Sequence, residues 1–123
     1  MFSLLEQKVM QVTPNTFEDL ALEVFRFQAR ENLIFNKYLQ LLKIKVAEIN
    51  TISQIPFLPV SCYKYHKITC GDWKEEDTFY SSGTTGMIKS KHLVKSLAWY
   101  ENVILKNFYE TFNPSENYKF FGL

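Results

Sequence analysis

The sequence predicts an α/β fold: helices at the N-terminal end, short strands around a loop of Ser, Thr and Gly, and one long amphipathic helix. Three observations predict it. Apolar residues recur at helical spacing over 17–30 and again over 97–112, the period of a helix with one buried face. Between about 47 and 94 that period is lost, and short stretches bounded by Pro, Gly and Ser replace it. Among those stretches lies the run Ser81-Ser82-Gly83-Thr84-Thr85-Gly86.

In chain order, residues 1–15 form a short lead ending in Thr13-Pro14-Asn15, where Pro14 disfavours helix in the residue before it. Thr16 is the expected N-cap of a helix reaching about Arg30. Glu18 and Asp19 stand at its positive end, and Phe17, Leu20, Ala21, Val24 and Phe25 share one face. A second helical pattern runs through Tyr38, Leu39, Leu42 and Val46, with Asn36 as its candidate cap. The prolines of Ile55-Pro56-Phe57-Leu58-Pro59-Val60 exclude a long helix or a central strand and predict a stiff extended segment. Strands are expected over 60–69, 77–81 and 88–94, the first two separated by the polar turn Gly71-Asp72. The last helix starts at Ser96 as N-cap, gathers Leu97, Ala98, Ile104, Leu105, Phe108 and Phe112 on one side, and stops at Asn113-Pro114. Glu101 falls on that apolar side, so it either pairs with a base or the helix is rotated to expose it.

The chain has 123 residues, 46% of them hydrophobic. That is the size of one domain burying roughly two thirds of its unfolded surface, so 1–123 reads as a single domain. Fourteen Lys and Arg against thirteen Asp and Glu leave a formal charge of +1, with no global field to draw nucleic acid or an anionic membrane. No apolar run has the length of a signal peptide or a membrane span, and the cytoplasm is the expected compartment. Cys62 and Cys70 are too few for a disulfide scaffold, and their spacing fits neither a zinc knuckle nor a C-x-x-C pair; both read as buried structural thiols. Eleven Phe and seven Tyr predict an aromatic core or a surface covered in a homo- or hetero-oligomer. Phe108, Tyr109, Phe112, Phe120 and Phe121 are the residues concerned.

The run 81–86 carries the chemistry. Gly83 and Gly86 permit positive φ and close backbone approach, while Ser81, Ser82, Thr84 and Thr85 bring hydroxyl donors without bulk. Successive N–H groups in such a loop form an anion nest, and Lys89 adds a positive charge. Phosphate oxygens are the expected guest. The run matches neither the Walker A nor the dinucleotide pattern. A given hexapeptide arises by chance in about one chain of this length in 10⁵. His92 either lines this site or lies on the surface, and His66 belongs to a solvated strand face.

The stretch Tyr80-Ser81-Ser82-Gly83-Thr84-Thr85-Gly86-Met87-Ile88-Lys89 resembles the phosphate-binding loop of the adenylate-forming acyl-activating enzymes. Ile55-Pro56-Phe57-Leu58-Pro59-Val60, Tyr63-Lys64-Tyr65-His66-Lys67, Ser90-Lys91-His92 and Leu97-Ala98-Trp99-Tyr100-Glu101 narrow the likeness. Together they are similar to the acyl-protein synthetase branch, the long-chain-fatty-acid–luciferin-component ligases, over about residues 33–112. Ile88, Lys89 and Ser90 depart from the Pro-Lys-Gly of the wider superfamily. Family members are much longer, so the chain is expected to be their N-terminal part and one piece of a larger adenylate-forming fold.

The resemblance implies ATP and Mg2+, a fatty acid or other carboxylic acid as substrate, and a protein thiol or CoA as acyl acceptor. It assigns phosphate binding to Ser81, Ser82, Gly83, Thr84, Thr85 and Gly86, with Lys89 neutralising charge, and no metal ligand within this chain. Activity of the chain alone is not implied. Three other readings stand beside it: a non-enzymatic nucleotide- or protein-binding module, a plain helical packing domain whose Ser/Thr/Gly loop is incidental, and a fragment of a phenylacetate-type acyl-CoA ligase.

Overall fold

A computed structural model describes residues 3–82, 88–113 and 116–119. In order they form α1 (Leu4–Met10), α2 (Phe17–Glu31), α3 (Leu33–Leu41), two 3-10 turns (Val46–Glu48 and Ile52–Gln54), α4 (Cys62–Tyr65), β1 (Asp77–Tyr80), β2 (Lys91–Val94) and α5 (Leu97–Thr111). The two strands pair antiparallel. The mixed helix and strand content agrees with the expected class.

The core belongs to α2 and α3. Leu22, Phe25 and Ala29 of α2 meet Phe35 and Leu39 of α3, with Ile49 closing the cluster. The Phe25 and Phe35 rings pack edge to face at 6.0 Å, a geometry that aromatic quadrupoles favour. The proline-stiffened segment lays Ile55 and Leu58 against this core while Phe57 stays in water.

Four details differ from expectation. The lead contains α1, closed by a capping box in which Ser3 and Glu6 satisfy each other's backbone N–H groups. Thr16 occupies the start of α2, but its hydroxyl accepts from the Thr13 N–H at 3.0 Å and not from the helix. Asn32, not Asn36, caps α3, accepting from the Phe35 N–H at 3.0 Å; Asn36 lies inside the helix and donates to the Ala29 carbonyl. The helix also stops short of Val46. Lys43 turns left-handed at φ 56°, and Ile44 and Lys43 donate to the Leu39 and Gln40 carbonyls. That is a Schellman closure, which sends Ile44 back to the core.

Residues 60–69 hold the single helical turn α4 where a strand was expected. A strand requires a neighbour to satisfy its N–H and C=O groups. The amides of Cys62, Tyr63, Lys64 and His66 instead donate to carbonyls three or four residues back. The turn at Gly71 is as expected: φ is 78°, and its N–H donates to the Glu31 carbonyl, tying the turn to the end of α2.

Candidate functional site

The Ser/Thr/Gly run lies in the connection between β1 and β2. In register, Asp77 faces Val94, Thr78 faces Leu93, Phe79 faces His92 and Tyr80 faces Lys91. The next pair continues the ladder. Ser81 N–H donates to the Ser90 carbonyl at 3.1 Å, and Ser90 N–H donates to Ser81 Oγ at 3.0 Å. Ser90 is buried at 4% exposure. The two serines therefore pinch the connection into a neck, and one lone pair of Ser81 Oγ is committed to closing it.

Beyond the neck, Ser82 and Lys89 are exposed, and Lys89 makes no ion pair among the described residues. Gly83, Thr84, Thr85 and Gly86 lie outside the described residues. Cross-strand partners share a face of the sheet. The register thus puts Thr78, Tyr80, Lys91 and Leu93 on one side, and Phe79 and His92 on the other. His92 stacks on Tyr63 with ring centroids 4.7 Å apart, on the face opposite Lys91. Phe79 meets Tyr100 of α5 at 5.0 Å on that second side.

The hairpin is joined to α5 through Glu76. Its backbone N–H donates to the Val94 carbonyl, and its carboxylate accepts from the Leu97 N–H at 2.7 Å. Ser96, the expected N-cap, accepts from Trp99 N–H at 3.2 Å. A carboxylate and a hydroxyl thus satisfy two amides of the positive helix end.

α5 is rotated from the expected orientation. Trp99, Val103 and Lys106 are half-buried with Leu97, Phe108 and Phe112, whereas Ile104 and Leu105 are each 48% exposed. Glu101 lies in solvent, which removes the cost of burying its charge. Phe120 and Phe121 lie outside the described residues.

Two concavities flank these elements. A cleft of about 1200 Å³ separates α1 and α2 from residues 68–73, Leu93, Lys95 and Trp99. Its charges are mixed, with Arg26, Arg30 and Lys95 against Glu6, Asp19 and Glu23. The Ser3 backbone N–H holds Glu6 below the usual carboxylate range against a smaller opposing push from partial burial; the Ser3 hydroxyl and Lys95 add to the lowering. Cys70 stands in the wall of the cleft, where burial, and then the Glu31 charge, push its thiol up. Both cysteines are half-buried free thiols, more open than expected. Neither Ser81, Ser82 nor Lys89 lines this cleft.

The second concavity, about 360 Å³, lies on the Tyr80–Lys91 face beside the neck. Lys64, His66, Lys67, Thr78, Tyr80 and Lys91 line it, with Glu75 the carboxylate among its lining residues. Sequence reasoning missed this grouping. The basic stretch 64–67 was visible, but its meeting with Lys91 depends on strand register, which the residues alone do not disclose. No protein-family model, curated protein or solved structure matches the chain.

Proposed function

We propose that the chain supplies the phosphate-binding loop of an AMP-forming ligase of the acyl-protein synthetase kind, activating a fatty carboxylate for transfer to a thiol. The carrying observation is the neck. The Ser/Thr/Gly run is held between two antiparallel strands by the paired Ser81 and Ser90, with Lys89 exposed beside it. Stabilising developing charge requires donors fixed in advance, and the pairing of Ser81 with Ser90 fixes the two stems from which those donors would be presented.

In the proposed reaction a carboxylate oxygen bonds to the α-phosphorus of ATP as the bond to pyrophosphate breaks. The acyl group then passes from the acyl-adenylate to a thiolate, releasing AMP. Negative charge grows on the departing pyrophosphate in the first step, where the loop amides, the hydroxyls of Ser82, Thr84 and Thr85, and Lys89 would act. Ser81 keeps its O–H hydrogen for the same purpose, its acceptor side being engaged by Ser90. Mg2+ would arrive on the phosphates of ATP.

The test is ATP–pyrophosphate exchange driven by a long-chain fatty acid, run on the protein with every segment its reading frame encodes. Fatty-acid-dependent exchange that Gly83→Val and Thr84→Val abolish supports the ligase; absent exchange overturns it. One observation favours a second reading. Ile104, Leu105 and Tyr109 expose apolar surface along α5, as a protein-binding module would. Amide shifts with Mg-ATP but no exchange would point instead to a nucleotide-binding module.

A further inference from the structure

The groove beside the neck concentrates positive charge that the fold itself does not use. Among the described residues, Lys64, Lys67 and Lys91 line it against the single carboxylate of Glu75. None of the three ammonium groups makes an ion pair or side-chain hydrogen bond with a described residue. Like charges gathered around one concavity repel, and a small anion entering it relieves that repulsion at every contact. The lining also holds the hydroxyls of Thr78 and Tyr80 and the imidazole of His66, groups that donate to phosphate oxygens. Thr78 and Tyr80 are fixed on one sheet face by the register, and Lys91 stands directly across from Tyr80.

We propose that this groove is a binding site for a compact polyphosphate anion of the pyrophosphate class. Its volume of about 360 Å³ lies at the small end of ligand sites, which suits an anion of this size. Pyrophosphate carries several negative charges on a short body, so it can meet three ammonium groups at once. A monocarboxylate cannot. The larger cleft lacks this selectivity, because Glu6, Asp19 and Glu23 offset Arg26, Arg30 and Lys95 among its lining residues. The site stands on its own residues and does not rest on the ligase reading.

Inorganic pyrophosphate is the probe, titrated calorimetrically and by backbone amide NMR. Saturable binding is expected, with shifts centred on 64–67, 78, 80 and 91. Lys67→Ala and Lys91→Ala remove exposed side chains, and each should weaken binding roughly fivefold without altering the rest of the spectrum. Lys37→Ala removes the same charge from the exposed side of α3 and should leave affinity unchanged. Equal weakening by Lys37→Ala, inorganic phosphate binding as tightly as pyrophosphate, or no saturable binding would each overturn the site.

Discussion

Lys43 and Gly71 share a backbone sign and differ in what it costs them. Both have positive φ, 56° and 78°, but only Lys43 carries a Cβ, which the left-handed region disfavours by roughly 1–2 kcal/mol. Lys43→Gly should therefore stabilise the protein by about 0.5–1 kcal/mol, less than the full strain because glycine also loosens the unfolded chain. Gly71→Ala should destabilise by about 1 kcal/mol through φ alone, since an added Cβ would meet nothing within 4 Å. Urea melts of the two variants check both signs. A glycine followed by a polar residue is a turn signal, so Gly71 was legible. Lys43 was not: its conformation follows from the Schellman bonds and from Ile44 reaching the core.

Among the elements, helix ends were read with uneven success, for reasons of competition. Ser96 had no rival and caps α5. Asn32 and Asn36 are both asparagines at the edge of an apolar pattern, and only the buried Asn32 at the break between α2 and α3 reaches an orphan amide. Ser3 and Glu6 were a visible capping box, but no residue of α1 is buried, so apolar periodicity lent it no support. The Lys8–Glu23 pair joins α1 to α2 at 2.8 Å with both side chains 45% exposed, worth about 0–1 kcal/mol. α1 should consequently respond to acid before the core does. Because Glu6 is held below its ordinary value of 4.5, its contribution is whole above that value and fades as pH falls through the lower folded value. Amide NMR should show α1 fraying over that window in the wild type, and Glu6→Gln should remove this pH dependence. Identical acid fraying in Glu6→Gln would contradict the assignment.

At the scale of the molecule, burial is uneven. Every buried hydrophobic residue among those described belongs to α2, α3 or Ile49, whereas α5 has no buried residue. Helical periodicity predicts a buried face, but it does not say whether a neighbour is there to bury it. The face expected over 17–30 meets the core only through Phe25, since Leu22 and Ala29 are its other buried residues and Phe17 is 55% exposed, and the pattern over 97–112 likewise misplaced the docked side. Leu39, 2% exposed, should cost about 2–4 kcal/mol when cut to alanine. Leu105→Ala, at an exposed position of α5, should change stability by less than about 0.5 kcal/mol. Equilibrium urea unfolding distinguishes these outcomes, and a comparable loss from Leu105→Ala would mean that α5 carries core weight.

The neck formed by Ser81 and Ser90 has a consequence for how this protein can change. Among the described residues the ladder reaches the Ser81–Ser90 pair, which holds both ends of the connection in register. Lengthening a loop held this way is cheap, since each doubling costs only about 0.6 kcal/mol of closure entropy. The neck is in effect a splice point: what hangs beyond it can be exchanged for a tighter, looser or differently charged binder, while β1, β2 and the groove beside them keep their register.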